Sequence, residues 1–177
     1  MISRLLRRNF SALLNKYLII FLVSLTAFHQ VKAQGVYEVF IISDTVTQYF
    51  IHPITYQSDE KEILRLDFTF RDPIIANSVV TLNFSYLSKN QDTTLNALSF
   101  LTKEKQETVQ TLKKLYIEKQ KKQYHMRYTG TISYNTFKKF FQGGQIQLDN
   151  GQKVLFSSTK KTLKKNNSIT FMLENIK

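Results

Sequence analysis

The sequence predicts a mainly β protein, built as an antiparallel β-sandwich or a strongly bent sheet with one or two short helices. Several segments alternate apolar and polar residues with period two, which is typical of strands that have one buried and one solvated face. Of the 177 residues, 42% are apolar and 13% aromatic, so the chain can build a core and is not disordered. A closed β-barrel is the alternative packing of the same strands.

The clearest alternation runs over residues 63–71, 80–86 and 124–132. In the first of these segments the apolar side consists of Leu64, Leu66, Phe68 and Phe70. Residues 36–42 and 46–51 are more continuously apolar, which predicts strands that are covered on both faces or nearly so. At the C-terminus, a last strand is predicted from the alternating residues Ile169, Phe171 and Leu173.

A tight hairpin is predicted around Gly151, between residues 145–148 and 152–156. A three-residue loop with Gly151 in the left-handed conformation keeps the apolar residues of both flanks on one face. This loop places Ile146 opposite Val154.

The segment after Ser133 predicts a short helix over residues 134–142. Ser133 is a suitable N-cap, and Gly143 ends the helix. Three phenylalanines recur within it at helical spacing: Phe137, Phe140 and Phe141. Residues 158–165 predict at most a weaker turn of helix, because Leu163 is their one apolar residue.

Residues 102–121 fit two descriptions. A helical stripe would contain Val109, Leu112 and Tyr116, whereas Leu115 and Ile117 alternate as in a strand. We favour a strand at about residues 112–118, preceded by a polar loop or a short helix over 102–107.

The first 33 residues have the three parts of a secretory signal peptide. Basic residues without acids come first, an apolar run follows over residues 17–28, and Ala33 is a small residue suited to cleavage after it. A transmembrane helix needs roughly 20 apolar residues, so none is expected in the mature chain, although an uncleaved anchor is the alternative. The sequence predicts a signal peptide over 1–33 and a single β-rich domain over 34–177, exported to the periplasm, the cell surface or the medium.

No recognisable catalytic or metal-binding motif occurs in the sequence. The chain has no Cys, which excludes disulfides, thiolate metal sites and cysteine nucleophiles. The histidines of the mature chain are His52 and His125, and both are expected to be turn or solvated residues. Asp67 lies between Arg65 and Arg71, which favours cross-strand charge pairing on a solvated face. We therefore predict no metal, no cofactor and no catalytic residue, and we expect that the protein is not an enzyme.

Charge is unevenly distributed along the chain, which has 25 Lys and Arg against 13 Asp and Glu. Residues 34–72 carry a net charge of −4, whereas residues 73–177 carry +11. The densest basic segment interleaves lysines with tyrosines, and counterion release and stacking both favour binding of a polyanion there. The predicted binding residues are Lys113, Lys114, Tyr116, Lys119, Lys121, Lys122, Tyr124, Arg127 and Tyr128. The alternative is that these lysines only solvate a hairpin tip and protect its edge.

These features predict an exported, non-enzymatic binding module that engages an acidic glycan or an acidic protein of the cell envelope. Lys outnumbers Arg in the basic segment, which argues against specific phosphate or base recognition, so nucleic acid is not an expected partner. A carrier is one alternative, in which Phe side chains line a barrel cavity around a small apolar ligand. A hydrolase is another, and it requires His52 or His125 beside a Ser or a carboxylate in a pocket.

Overall fold

The computed structural model describes residues 35–89 and 94–176, which contain ten strands and two helices. The strands are β1 (Tyr37–Ser43), β2 (Val46–Gln57), β3 (Ile63–Asp72), β4 (Val79–Ser88), β5 (Ala97–Leu101), β6 (Gln106–Thr108), β7 (Gln110–Gln120), β8 (Gln123–Ser133), β9 (Gln145–Asp149) and β10 (Lys153–Ser158). The helices are α1 (Tyr134–Phe141) and α2 (Lys160–Asn175). The signal peptide predicted over 1–33, with its cleavage site after Ala33, lies outside the described residues.

All strand pairs are antiparallel, and together they form one strongly bent sheet. The strand order is β6-β5-β9-β10-β2-β3-β4-β8-β7, and β1 pairs beside this path with the first half of β2. The shortest pairing along this path joins β10 to β2, where Ser157 pairs with Gln57 and Ser158 with Tyr56. The predicted mainly β class and bent antiparallel sheet are confirmed.

The two ends of the sheet are joined by the chain itself. β6 pairs with β5 at one end and β7 pairs with β8 at the other, and Val109 alone separates β6 from β7. The Val109 N–H donates to the Leu98 carbonyl at 2.8 Å. The sheet is therefore nearly closed into a barrel, and the predicted alternative of a closed barrel is also compatible with it.

Apolar side chains fill the inside of the bent sheet. The alternation predicted for residues 63–71 is confirmed, because Leu64, Leu66 and Phe68 have no exposed surface. The ring of Phe68 lies 5.1 Å from that of Phe137 on α1 and 6.3 Å from that of Phe100 on β5, between centroids. The phenylalanines with at most 1% exposure are Phe68, Phe84, Phe100, Phe137, Phe140 and Phe156.

Helix α1 forms as predicted after Ser133. The Ser133 hydroxyl accepts the Thr136 N–H at 3.3 Å, which satisfies one of the free amides of the first turn. The three predicted phenylalanines are buried, and Gly143 follows the helix with φ 112°. This helix therefore packs its aromatic face into the core.

The β9–β10 hairpin has a three-residue loop with Gly151 at φ 96°, as predicted, but the loop comprises residues 150–152 instead of 149–151. The predicted opposition of Ile146 and Val154 is wrong, because Ile146 pairs with Phe156 and Leu148 pairs with Val154. The face prediction is confirmed, since these paired apolar side chains share one side. Asp149 pairs directly with Lys153. Each residue of β9 therefore pairs with a β10 residue two positions later than predicted.

The strand favoured within residues 102–121 is confirmed and is longer than predicted, since it extends over the whole of β7. Residues 102–107 were predicted as a loop or a short helix, but the last two of them belong to strand β6. Strand β5 was not predicted. In β5 the residues Leu98, Ser99 and Phe100 are all buried, so the strand shows no alternation. Ser99 is accommodated because its hydroxyl lies 2.9 Å from that of Thr108.

The predicted C-terminal strand is wrong, because α2 continues through residues 160–175. The same helix extends well beyond the single turn predicted at 158–165. Its buried residues recur at helical spacing: Thr162, Asn166, Ile169, Met172 and Leu173. Phe171, which the strand pattern placed inside, is 70% exposed. Neither α1 nor α2, the helices of the described residues, is long and apolar enough to cross a membrane.

Strand β1 is exposed along its whole length, which contradicts the prediction that residues 36–42 form a covered strand. Ile41 is 82% exposed and Ile42 is 54% exposed. The reason is topological, because β2 is the one described strand that pairs with β1, which therefore lies at an edge of the described sheet. In β2, residues 46–50 are half-buried and Ile51 is buried.

Candidate functional site

The predicted binding residues all lie on one hairpin, which β7 and β8 form. Lys121 and Lys122 make a two-residue turn between Gln120 and Gln123, which pair with each other. Lys121 has φ 56°, and a positive φ is what tight hairpin turns require. Two lysines are therefore placed at the tip of the hairpin.

The hairpin divides the predicted residues between its two faces. Directly opposed residues share a face, and Tyr116 lies opposite Arg127, whereas Lys119 lies opposite Tyr124. Side chains alternate along β8, so these two pairs point to opposite sides. Lys113 belongs with Tyr116 and Arg127, and the opposite face carries Lys114, Lys119, Tyr124 and Tyr128. The structure therefore does not bring all the predicted residues into one patch.

Tyr128 belongs to the core. It is 3% exposed, and its ring stacks on Phe84 with a centroid distance of 5.1 Å and an interplanar angle of 11°. Its hydroxyl donates to the sulfur of Met126 at 3.7 Å, and burial raises the pKa of this phenol. Its contacts are therefore internal to the fold.

Arg127 forms an ion pair with Asp67 on β3, two strands away. Its second terminal nitrogen donates to the Ser85 hydroxyl at 2.9 Å, and Asn83 donates to the other carboxylate oxygen of Asp67 at 2.9 Å. The predicted cross-strand charge pairing of Asp67 is confirmed, but its carboxylate is buried instead of solvated, since Asp67 is 2% exposed. No local spacing reveals this pair, because 60 positions separate the two residues.

The lysines of the hairpin are exposed and are free of acidic partners among the described residues. They are Lys113, Lys114, Lys119, Lys121 and Lys122. Lys119 Nζ lies 6.0 Å from the centroid of the Tyr124 ring, at the outer limit of a cation–π contact. The acid nearest in sequence, Glu118, accepts a hydrogen bond from the Gln120 amide at 3.4 Å. These lysines, on both faces and at the tip of the hairpin, therefore present uncompensated positive charge to solvent.

His125 lies on the face of the hairpin that carries Tyr116. Its Nδ1 atom is 3.3 Å from the Gln120 amide nitrogen, and its ring meets that of Tyr116 edge-on at 5.5 Å. Burial and then the positive charge of Arg127 lower the pKa of the imidazole, and Glu118 opposes them. His125 is therefore harder to protonate than an ordinary histidine.

An open depression of about 960 Å³ adjoins the tip of the hairpin. It is lined by Leu87, Lys89, Gln120, Lys121, Lys122 and Gln123. Leu87 and Lys89 were missed by sequence reasoning, because they lie at the end of β4 and directly after it, far from the hairpin along the chain. The depression combines cationic side chains with an apolar wall.

A smaller cavity of about 370 Å³ lies beside this depression and shares Leu87, Lys89 and Gln123 with it. The Tyr86 hydroxyl donates to Glu62 Oε1 at 2.8 Å and accepts from the Asn150 amide at 3.3 Å. Burial and the adjacent Glu62 raise the pKa of this phenol. The second carboxylate oxygen of Glu62 is buried without a hydrogen-bond partner among the described residues.

His52 contacts a carboxylate, as the hydrolase alternative requires. Its Nε2 atom lies 3.2 Å from Glu38 Oε1, across the β1–β2 ladder. The Glu38 side chain is 53% exposed, and neither residue lines any of the cavities described above. Within the described residues, no group of three or more His, Asp or Glu side chains is placed to hold a metal ion.

The comparisons with known proteins add no relative: the chain matches no family model, no curated protein and no solved structure.

Proposed function

We propose that this protein is an exported, non-enzymatic binding module whose β7–β8 hairpin binds an acidic glycan or an acidic segment of an envelope protein. The observation that carries the proposal is the set of exposed hairpin lysines without acidic partners among the described residues. Export rests on the signal peptide predicted over residues 1–33.

Unpaired lysines favour a polyanion for two reasons. Binding releases the counterions condensed on the polymer, and no internal ion pair has to be broken first. The depression beside the tip adds Lys89 to the cationic surface, and Leu87 gives it an apolar wall. Arg127 and Tyr128 are excluded from the contact surface, because both are engaged inside the fold.

The filled core supports this proposal over the carrier alternative. Phe68 and Phe84 are fully buried and pack against other rings, so they do not line a ligand cavity. The depression beside the tip is lined by three lysines and two glutamines, which suits an acidic ligand better than an apolar one.

The direct test is binding of the purified protein to an acidic polysaccharide, polygalacturonate, and separately to poly-glutamate, over a series of salt concentrations. The test variant carries Lys119→Glu, Lys121→Glu and Lys122→Glu. The control carries Lys160→Glu, Lys161→Glu and Lys164→Glu, which make the same change in net charge on the exposed side of α2.

We expect the hairpin variant to lose roughly tenfold or more in affinity, and the α2 variant to lose much less. Preference for one polymer identifies the class of partner. Equal losses in the two variants, or binding that is independent of salt, would overturn the proposal. Export is tested separately, by N-terminal sequencing of the mature protein, which is expected to begin at Gln34.

A further inference from the structure

Within residues 35–89 and 94–176, the outer edge of β1 is open for pairing with another strand. Five of its seven residues are exposed and apolar: Tyr37, Val39, Phe40, Ile41 and Ile42. No Lys or Pro lies in the strand to block pairing, and its one charged residue, Glu38, is engaged by His52. Exposed edge strands of this composition pair with other strands.

The direction of the β1 backbone groups follows from one hydrogen bond. The His52 N–H donates to the Val36 carbonyl at 3.0 Å, so Val36 faces β2. In an antiparallel pair, the backbone N–H and C=O groups of successive residues point alternately towards and away from the partner strand. Those of Tyr37, Val39 and Ile41 therefore point towards the open edge. These groups have no partner strand in the described part of the chain.

Strand β7 offers a second open edge at the other end of the same run of strands. Leu115, Tyr116 and Ile117 are 48%, 45% and 36% exposed. Gln120 and Gln123 flank the two-residue turn, and in such a turn the flanking residues form a hydrogen-bonded pair. Backbone groups point alternately towards and away from β8, so those of Ile117 point towards the open edge. Lysines flank this apolar segment on both sides.

The two edges are complementary in direction and in charge. In the order β1-β2-β3-β4-β8-β7 every neighbour is antiparallel, so β1 and β7 run in opposite directions. Continuing the sheet from one molecule into the next therefore creates another antiparallel pair. Glu38 on β1 and Asp44 in the turn that follows it are both exposed acids, whereas β7 carries Lys113, Lys114 and Lys119.

We infer that the β1 edge binds the β7 edge of a second copy of this chain, so that the sheet continues from molecule to molecule. The contact is heterologous, because two different edges meet, and such a contact propagates into chains of molecules. Self-pairing of two β1 edges has no comparable charge attraction. This assembly does not require the acidic ligand proposed above, and the two compete, because both use the lysines of β7.

The test blocks each edge separately with proline at an outward-facing amide, where folding of the single molecule does not need the N–H. Val39→Pro blocks β1, and Ile117→Pro blocks β7. Sedimentation velocity of the purified protein, without any polyanion, is expected to show concentration-dependent oligomers for the unmodified chain. Each variant alone is expected to be monomeric, and an equimolar mixture is expected to form a heterodimer and nothing larger.

The equimolar mixture distinguishes pairing of β1 with β7 from self-pairing of two β1 edges. Association of folded Ile117→Pro alone indicates self-pairing of β1 and overturns the inference. So does the absence of a heterodimer in the mixture, or an unmodified chain that stays monomeric. If circular dichroism shows that a proline variant is unfolded, Ile41→Lys and Ile117→Glu repeat the experiment, because each places on one edge a charge of the same sign as the partner edge without removing an amide.

Discussion

Val109 lies so close to Gly130 that a Cβ atom on Gly130 would stand 2.4 Å from Val109 Cγ1. The same Cβ would stand 2.9 Å from the carbonyl oxygen of Gln110. Val109 is the residue that joins β6 to β7, so the segment that closes the sheet passes directly over Gly130 on β8. A side chain at position 130 would therefore push the closing segment away.

Gly130→Ala is expected to lower the free energy of unfolding by about 1–3 kcal/mol, because the closing segment has to shift. Urea denaturation measures the loss. In the Gly130→Ala background, Val109→Ala removes one of the two clashing groups but not the backbone oxygen, so it should restore part of the stability. A Gly130→Ala protein as stable as the unmodified one would show that the segment is loosely held.

Glu107 links β6 to the start of α1 and makes stability depend on pH. It accepts hydrogen bonds from the Ser133 N–H at 2.9 Å, the Thr136 hydroxyl at 2.6 Å and Lys105 Nζ at 2.6 Å. Burial alone would raise the pKa of this carboxyl, but these bonds outweigh it and lower the pKa from 4.5 to about 2. The folded protein therefore binds fewer protons than the unfolded chain between these two values.

This contribution to stability is complete above pH 4.5 and is lost as the pH falls towards about 2. Glu107→Gln is expected to flatten this part of the curve of unfolding free energy against pH. Glu104→Gln is the matched control, because Glu104 pairs with Lys139 at the surface and its side chain is 64% exposed. If both variants keep the slope of the unmodified protein, other carboxyls cause the acid sensitivity.

The sequence predicted those elements whose signal is local. Strand β3 was predictable because its buried side chains alternate, and α1 because a cap and three phenylalanines mark it. Strand β5 and helix α2 were not predicted, because polar residues at buried positions interrupt their apolar patterns. Ser99 and Asn166 take core-facing positions because the hydroxyl of Thr108 and that of Tyr56 reach them. Such partners come from distant segments, and no periodicity shows them.

In the candidate site too, the features with a local signal were predictable and those that depend on distant strands were not. The lysines of the hairpin were visible from composition, and their common placement on β7 and its turn follows from the strand that was favoured there. The burial of Tyr128 and the engagement of Arg127 depend on β4, which pairs with β8, and on β3, which pairs with β4, and the sequence alone does not give this strand order. Lys89 joins the hairpin's cationic surface for the same reason.

The pair of Asp67 and Arg127 makes a further prediction about stability. Arg127→Ala removes the charge that compensates a carboxylate with 2% exposure, and it is expected to cost about 3 kcal/mol. Arg65→Ala, at an exposed position on the same strand as Asp67, is the control and should change stability by less than about 0.5 kcal/mol. Thermal and urea unfolding measure both variants.

Adding Asp67→Asn to Arg127→Ala is expected to recover much of the loss, because a neutral amide no longer needs the guanidinium. Asn83 remains available as its neighbour. If the double variant is no more stable than Arg127→Ala, the cost comes from lost packing of the arginine stem and not from the uncompensated charge.

The C-terminal segment offers a test that separates a helix from a strand with two substitutions. In α2, Ile169 has no exposed surface, whereas Phe171 is 70% exposed. A strand would bury both, since they are two positions apart. Ile169→Ala is expected to cost about 2–5 kcal/mol, through lost burial and the cavity that remains. Phe171→Ala is expected to change stability by less than about 0.5 kcal/mol, because alanine gives up little packing there and favours the helix. Comparable large losses in both variants would mean that this segment is buried as a strand.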